Sequence, residues 1–244
     1  MRRPMHAGAR GGLARALIVA CAAMMLAGCD LGQQVAAGAG GAIGQVLNPT
    51  MAELQEVKAL HGRGAFAAVA DRSVSCEPAQ EGCGQLRLLR ADSCRRLGMN
   101  AGPRRREYLD CAIANYGATL VAAGQRPDPM VDRREAESGL LDASQRRRDA
   151  AGDRADAAAQ NDALLRRAMA AQAGPAARPA GFYYAADATL NGVLQAGTSG
   201  GCVRIAEAER LLDQAGADGT AFGRPAQDLR RAIAAARSAR GCAA

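Results

Sequence analysis

Aromatic side chains are scarce in this sequence of 244 residues. It contains no tryptophan, four tyrosines and three phenylalanines, so that aromatics make up only 3% of the chain. Proteins that bind single-stranded nucleic acid combine a basic groove with rings on which the bases stack. A nucleic-acid role is therefore set aside, and no nucleic acid is expected among the partners. A folded core has to be built from Ala, Leu, Val and Ile.

Histidine and the usual catalytic motifs are also lacking. After the first 28 residues His61 is the only histidine, which excludes metal sites built from several histidines. The sequence contains no G-x-S-x-G, Walker or H-E-x-x-H motif. It has no C-x-x-C pair, so neither a zinc site nor a thioredoxin-like redox pair is expected. We predict no catalytic residue, no metal and no enzymatic activity, and we interpret His61 as a surface or packing residue.

Acidic residues are absent from the first 28 positions, which carry four arginines. The apolar run Leu17–Leu26 follows, and it is shorter than the roughly 20 residues that span a bilayer. A basic stretch followed by a short apolar run is the order of a secretory signal. Removing residues 1–28 leaves 27 basic and 24 acidic residues, or a net charge of +3 instead of +7.

The apolar run ends in Leu26-Ala27-Gly28-Cys29, which resembles the lipobox of bacterial lipoproteins. The resemblance implies cleavage before Cys29, which would carry a diacylglyceryl thioether and an amide-linked acyl chain such as palmitate. Several acyl chains would anchor the protein stably to a membrane, and no cofactor other than this covalent lipid is expected. The alternative is ordinary signal-peptidase cleavage after Ala-x-Gly, with Cys29 an unmodified cysteine.

The lipobox resemblance also implies a location. The protein would face the periplasm of the bacterial cell envelope, held by its lipid. In some bacterial groups an aspartate directly after the lipidated cysteine retains a lipoprotein in the inner membrane. Asp30 predicts that membrane where the rule applies, and the outer membrane is expected otherwise.

Composition divides the rest of the chain into two parts. Residues 29–49 are rich in Gly and Ala and are interpreted as a flexible tether, with a membrane-inserting hairpin as the alternative. Residues 50–244 are predicted to form one helical domain. Thr50 and Glu53 have the spacing of a capping box, which would place the start of the first helix at Thr50.

The spacing of apolar residues predicts an all-α fold, an array of antiparallel helical hairpins. The predicted helices cover 51–71, 85–97, 103–124, 131–173 with a break at Gly152, 182–196, 202–215 and 224–240. The charge run Arg146–Arg148 is interpreted as a solvated face, offset by Glu135, Glu137 and Asp142 nearby.

The segment Ala112–Leu120 resembles the second helix of a tetratricopeptide repeat. It has Ala112, then Tyr116 four residues later, then a small residue followed by Leu120. Ala208, Leu212 and Ala215 repeat the spacing in part. The resemblance implies closely nested helix pairs, but the repeat period of roughly 34 residues is absent. An irregular helical bundle with unrelated hairpins would show the same pattern.

Six cysteines remain after Cys21 and Cys29 are set aside. An even number in an exported chain indicates disulfides, with free buried thiols as the alternative. In an antiparallel hairpin the start of one helix meets the end of the next, which favours the pair Cys202–Cys242. The two other bridges expected are Cys94–Cys111 across the earlier hairpin and the local pair Cys76–Cys83.

Phe182, Tyr183 and Tyr184 form the single aromatic cluster. The rings either fill the core between the last hairpins or face a ligand in a helical groove.

The first functional hypothesis is an adaptor or assembly factor that binds another envelope protein. The alternative is an envelope enzyme or small-molecule carrier with a site near Tyr183 and Tyr184, and a third reading is a structural lipoprotein without a discrete ligand. A deep pocket lined by these rings and by converging acids or arginines would favour the enzyme or carrier, whereas a shallow surface would favour the adaptor.

Overall fold

The computed structural model describes residues 48–100, 102–197, 201–216 and 222–242. The sequence predictions for the signal segment, Cys29, Asp30 and the tether lie outside these residues.

Helices account for all regular secondary structure in the described residues, which confirms the all-α prediction. In chain order they are α1 (Pro49–Gly62), α2 (Phe66–Ala70), α3 (Cys83–Gly98), α4 (Arg105–Gln125), α5 (Arg133–Asp149), α6 (Arg154–Ala173), α7 (Arg178–Ala196), α8 (Cys202–Gln214) and α9 (Gly223–Ala239). The chain divides into the units Met1–Ala52 and Glu53–Ala244, and α2 to α9 belong to the second. None of the described helices is long and apolar enough to cross a membrane.

From α2 to α9, each helix packs against the next one in the chain. In addition, α5 contacts both α3 and α7, and α7 contacts α9. Four positions of the tetratricopeptide resemblance are buried, namely Ala112, Tyr116, Ala208 and Leu212. Such burial is common to closely packed helix pairs, so it confirms the pairs without identifying the repeat.

Two apolar clusters of buried residues lie in the part of the chain that the structure describes, and α5 contributes to both. Ala136 and Ala143 belong to the cluster formed with α3 and α4, whereas Leu141 belongs to the cluster formed with α6 to α9. Alanines, leucines, valines and isoleucines dominate both clusters, as the composition predicted. The two faces of α5 therefore join the earlier helices to the later ones.

Gly181 allows α6 and α7 to approach closely. A Cβ atom at position 181 would lie 2.8 Å from the carbonyl oxygen of Ala168 and 2.8 Å from the backbone nitrogen of Gln172. Both atoms belong to the main chain of α6 and cannot move aside as a side chain can. Any residue larger than glycine would therefore force the two helices apart.

Three disulfides join the six predicted cysteines in the predicted pairs. Cys202–Cys242 connects the start of α8 to the segment after α9, Cys94–Cys111 connects α3 to α4, and Cys76–Cys83 closes the loop before α3. The Cys202–Cys242 disulfide closes a loop of 40 residues. Closing such a loop contributes about 4 kcal/mol to the free energy of unfolding in the chain-entropy model. The three disulfides thus stabilise a domain that has few large side chains to bury.

The predicted capping box at the first helix is wrong. The helix α1 begins at Pro49, and the side-chain oxygen of Asn48 accepts a hydrogen bond from the backbone nitrogen of Met51 at 3.2 Å. Proline suits a first helical position because that position needs no N–H donor. Since Asn48 precedes the proline, it takes the capping role predicted for Thr50.

The interpretation of Arg146–Arg148 as a solvated face is also wrong. Only Arg146 fits it, pairing with Asp142, whereas Arg147 and Arg148 are 9% and 5% exposed. Successive helical residues point about 100° apart, so three in a row cannot share one exposed face. Two of these side chains necessarily turn toward neighbouring helices.

Carboxylates from other helices compensate the two buried arginines. Arg147 donates to Asp110 of α4 at 2.8 Å and to Asp156 of α6 at 2.9 Å. Arg148 donates to Asp187 of α7, and its Nη1 lies 3.3 Å from Asn161 Oδ1 of α6. The last turn of α5 is thereby tied to three other helices.

We predict that Arg148→Ala strongly destabilises the domain. It would leave Asp187 buried beside no cation, which typically costs about 3–5 kcal/mol. The matched control is Arg146→Ala, which removes a half-exposed ion pair worth about 1 kcal/mol or less. Urea unfolding of both variants measures the difference, and equal losses would contradict the assigned role of Arg148.

Candidate ligand pocket

A pocket of about 610 Å³ lies beside α5 and is lined by residues from both core clusters. Its inner wall is formed by Arg95, Tyr116, Ser138, Gly139, Asp142, Ala177, Ala180, Tyr184 and Phe222. Prolines 175 and 179 flank it at the turn between α6 and α7, and the exposed residues Arg134 and Glu135 complete its lining. The pocket therefore combines apolar walls with a few polar groups, as small-molecule sites commonly do.

Aromatic rings pack together at one end of the pocket. The ring of Phe222 stacks on Tyr183 with a centroid distance of 4.6 Å, and it meets Tyr184 edge-on at 6.0 Å. Tyr183 and Tyr184 are themselves in edge contact at 5.0 Å. Such edge and offset contacts stabilise ring clusters, so the wall that Tyr184 and Phe222 form is held in place.

The predicted aromatic cluster divides between core and pocket. Tyr184 lines the pocket, whereas Tyr183 is buried behind it against Phe222 and Phe182 is half-buried against the core. Sequence reasoning missed Phe222 as a partner, because it is the only aromatic residue of the glycine-containing stretch 216–223. It also missed Tyr116 as a pocket residue, because the resemblance to a tetratricopeptide helix marked it only as a packing residue.

The absence of a side chain at Gly139 makes room for the Tyr116 ring. A Cβ atom at position 139 would lie 2.4 Å from Cζ of Tyr116 and 2.7 Å from its hydroxyl oxygen. Tyr116 is 1% exposed and has little space to move. Gly139 on α5 therefore determines where the Tyr116 hydroxyl enters the pocket.

Arg95 is the central polar group of the pocket. Its Nε donates to the hydroxyl of Tyr116 at 3.2 Å, and its Nη2 donates to Asp92 Oδ1 at 2.9 Å. Its Nη1 lies 3.5 Å from Asp142 Oδ2. One guanidinium thus connects α3, α4 and α5 at the pocket wall.

Asp92 holds the Arg95 guanidinium in position by accepting its hydrogen bond. It also accepts hydrogen bonds from Arg96 Nε at 2.6 Å and pairs with His61 Nε2 at 2.9 Å. Burial alone would raise the pKa of Asp92, but the hydrogen bonds from Arg96, His61 and Arg95 outweigh it and hold the pKa below its usual value. Asp92 is therefore an ionised acceptor at neutral pH.

His61 has a polar partner that its local sequence did not show. It pairs with Asp92, and its ring meets the edge of Phe66 at 5.2 Å. The interpretation as a packing residue holds for the ring contact but omits the hydrogen bond with Asp92. The partner lies 31 residues away in sequence, so no local pattern could reveal it.

The two phenols of the pocket are held in their neutral form. Burial raises the pKa of Tyr116 to about 12. Burial, with a smaller effect of the Asp142 charge, raises the pKa of Tyr184 well above its usual value. Both hydroxyls keep their protons at neutral pH and can donate hydrogen bonds. Within the described residues no group of three or more His, Cys, Asp or Glu side chains is placed to hold a metal ion.

We predict that Gly139→Ala destabilises the domain by about 1–3 kcal/mol, because the added methyl group overlaps the Tyr116 ring. The control is Gly117→Ala in α4, where an added Cβ meets no atom within 4 Å. That change should stabilise the helix by up to about 1 kcal/mol. Chemical unfolding of both variants tests the contact, and a stabilised Gly139→Ala protein would show that the ring and glycine do not meet.

Comparison with known proteins finds no match: no family model, no curated protein and no solved structure is significantly similar to the chain. The function is therefore argued from the residues of the pocket and from the sequence.

Proposed function

We propose that this protein is a lipid-anchored binding protein of the bacterial envelope, whose helical domain holds a small molecule in the pocket beside α5. The observation that carries the proposal is the pocket itself. Its volume of about 610 Å³ lies within the range of roughly 300–1,000 Å³ that is typical of small-molecule sites. It is lined by Tyr184 and by the converging side chains of Arg95 and Asp142, which is the arrangement that favours a carrier over an adaptor.

The chemistry of the lining supports binding rather than catalysis. The phenols of Tyr116 and Tyr184 have raised pKa values, so both stay protonated near neutral pH and almost no phenolate is present to act as a base or nucleophile. Asp142 already accepts hydrogen bonds from Arg146 at 3.0 Å. These groups are suited to hold a ligand in one orientation, and we propose no reaction.

The proposed envelope location rests on two features. The sequence Leu26-Ala27-Gly28-Cys29 resembles a lipobox, and the described domain carries three disulfides. Disulfides persist in oxidising compartments such as the bacterial periplasm. In this proposal the lipid on Cys29 attaches the domain to a membrane, with Asp30 as the determinant of inner-membrane retention.

A protein-binding adaptor is the second candidate. The observation in its favour is the packing of each helix from α2 to α9 against its neighbour in the chain. Arrays of tetratricopeptide-like hairpins use such packing to build extended binding surfaces. This candidate would make another envelope protein the partner, and affinity capture from membranes tests it.

The anchor predicts the mass of the protein isolated from bacterial membranes. We expect cleavage before Cys29, the added mass of two or three acyl chains, and three disulfides. A Cys29→Ser variant should lack the acyl mass because it lacks the thiol that carries the lipid. Intact-mass analysis without reducing agent makes this measurement, and an unprocessed polypeptide with free thiols would contradict the proposed location.

The pocket predicts a bound small molecule that a single substitution removes. Ser138→Phe places a ring inside the pocket, so we expect a molecule that co-purifies with the full-length protein to disappear from native mass spectra. The matched control is Ser238→Phe, the same substitution at an exposed position of α9. Equal retention by both variants, or recovery of a protein partner with no small molecule in any preparation, would overturn the carrier proposal in favour of the adaptor.

A further inference from the structure

We infer that the ligand of this pocket is a ring-bearing carboxylate with one negative charge. The inference rests on the proposed small-molecule function and specifies its ligand class. Three features of the pocket carry it: unused hydrogen-bond donors, a local excess of positive charge and apolar walls.

Arg95 retains donor capacity toward the pocket. A guanidinium has five N–H groups, and in Arg95 the shortest contacts are those of Nε with Tyr116 and of Nη2 with Asp92. Its Nη1 lies 3.5 Å from Asp142 Oδ2, beyond the usual range of about 2.7–3.2 Å for N–H···O bonds. The other contact of Nη1 is with Met99 Sδ at 3.9 Å, and a thioether sulfur is only a weak acceptor. An oxygen atom of a ligand would satisfy Nη1 better than Asp142 does.

Two phenolic hydroxyls add further donors. The hydroxyl of Tyr116 accepts from Arg95, which leaves its own hydrogen to be donated. No hydrogen bond joins the hydroxyl of Tyr184 to any of the residues that the structure describes. Arg95, Tyr116 and Tyr184 thus present donors to one space, and their complement is a group with acceptor oxygens.

The charges of the cluster around Arg95, which extends beyond the pocket lining, do not cancel. Three guanidinium groups, those of Arg95, Arg96 and Arg146, share the two carboxylates of Asp92 and Asp142. The two arginines and two carboxylates that line the pocket cancel by themselves, so the excess comes from Arg96 and Arg146, which neutralise Asp92 and Asp142 from outside the lining. This cluster therefore carries an excess of one positive charge, which a monoanion would neutralise.

The remaining wall is suited to an apolar body. It is made of the rings of Tyr116, Tyr184 and Phe222 together with prolines and alanines. Flat rings pack favourably against such aromatic faces and edges. A ligand whose carboxylate binds Arg95 and whose ring packs against Tyr184 and Phe222 would match the donors, the positive charge and the apolar wall together.

Calorimetric titration of the full-length protein in detergent micelles tests the inference with three probes of one shape. They are naphthalene-2-carboxylate, the neutral naphthalene-2-carboxamide and the cationic 2-naphthylmethylammonium, each corrected for binding to micelles alone. We expect the carboxylate to bind about 10–100-fold more tightly than the amide, since charge-assisted hydrogen bonds are the stronger ones. The cation should bind most weakly.

Substitutions assign the preference to its residues. Arg95→Gln should abolish the preference for carboxylate over amide, while Arg210→Gln, an exposed residue of α8 that does not line the pocket, should leave it intact. Because Arg95 also supports the fold, Tyr184→Phe provides a second test that removes one hydroxyl only. It should weaken carboxylate binding several-fold with unchanged binding of the cation.

Two outcomes would overturn the inference. If the wild-type protein bound the amide as tightly as the carboxylate, the pocket would select rings without regard to charge, and the proposed small-molecule function would stand. If none of the three probes bound, the ligand class would be wrong. The co-purification experiment with Ser138→Phe would still decide the proposed function independently.

Discussion

The buried guanidinium of Arg148 is the constraint on which the arrangement of the later helices depends. A charge removed from water is tolerated only when its partners surround it, and α5, α6 and α7 each supply one, in Asp149, Asn161 and Asp187. Sliding any of these helices along its axis would separate the charge from a partner. The contacts of Arg148 therefore allow only one register of α5, α6 and α7. That register also determines how the pocket walls on α5 and α7 face each other.

Local patterns in the sequence were sufficient to predict the helices and the disulfides that connect them. Apolar spacing predicted the helix that became α8 to within one residue, and Gly152 does separate α5 from α6. The pair Cys202–Cys242 followed from the lengths of two neighbouring helices. These features depend on residues that are close in sequence or joined by one turn, where helical geometry leaves few alternatives.

Interactions between distant residues were not predictable in the same way. The partner of Arg148 at Asp187 is 39 residues away, and the Arg95 contact with Asp142 spans 47 residues. A run of three arginines looks solvated until the neighbouring helices are placed, because charge alone does not show which face is covered. For the same reason the sequence left open whether Tyr184 fills the core or faces a ligand, and it did not indicate Phe222, which lies directly before α9 and lines the pocket.

The close contact at Gly181 has a consequence for how the pocket can vary. Main-chain atoms, not side chains, set the separation of α6 and α7 at this point, next to Ala180 and one turn before Tyr184. We therefore expect substitutions of other lining side chains to leave that separation unchanged. If the pocket binds a ligand as proposed, exchange of its lining side chains could alter the ligand while the spacing of α6 and α7 stays constant, as long as position 181 remains glycine.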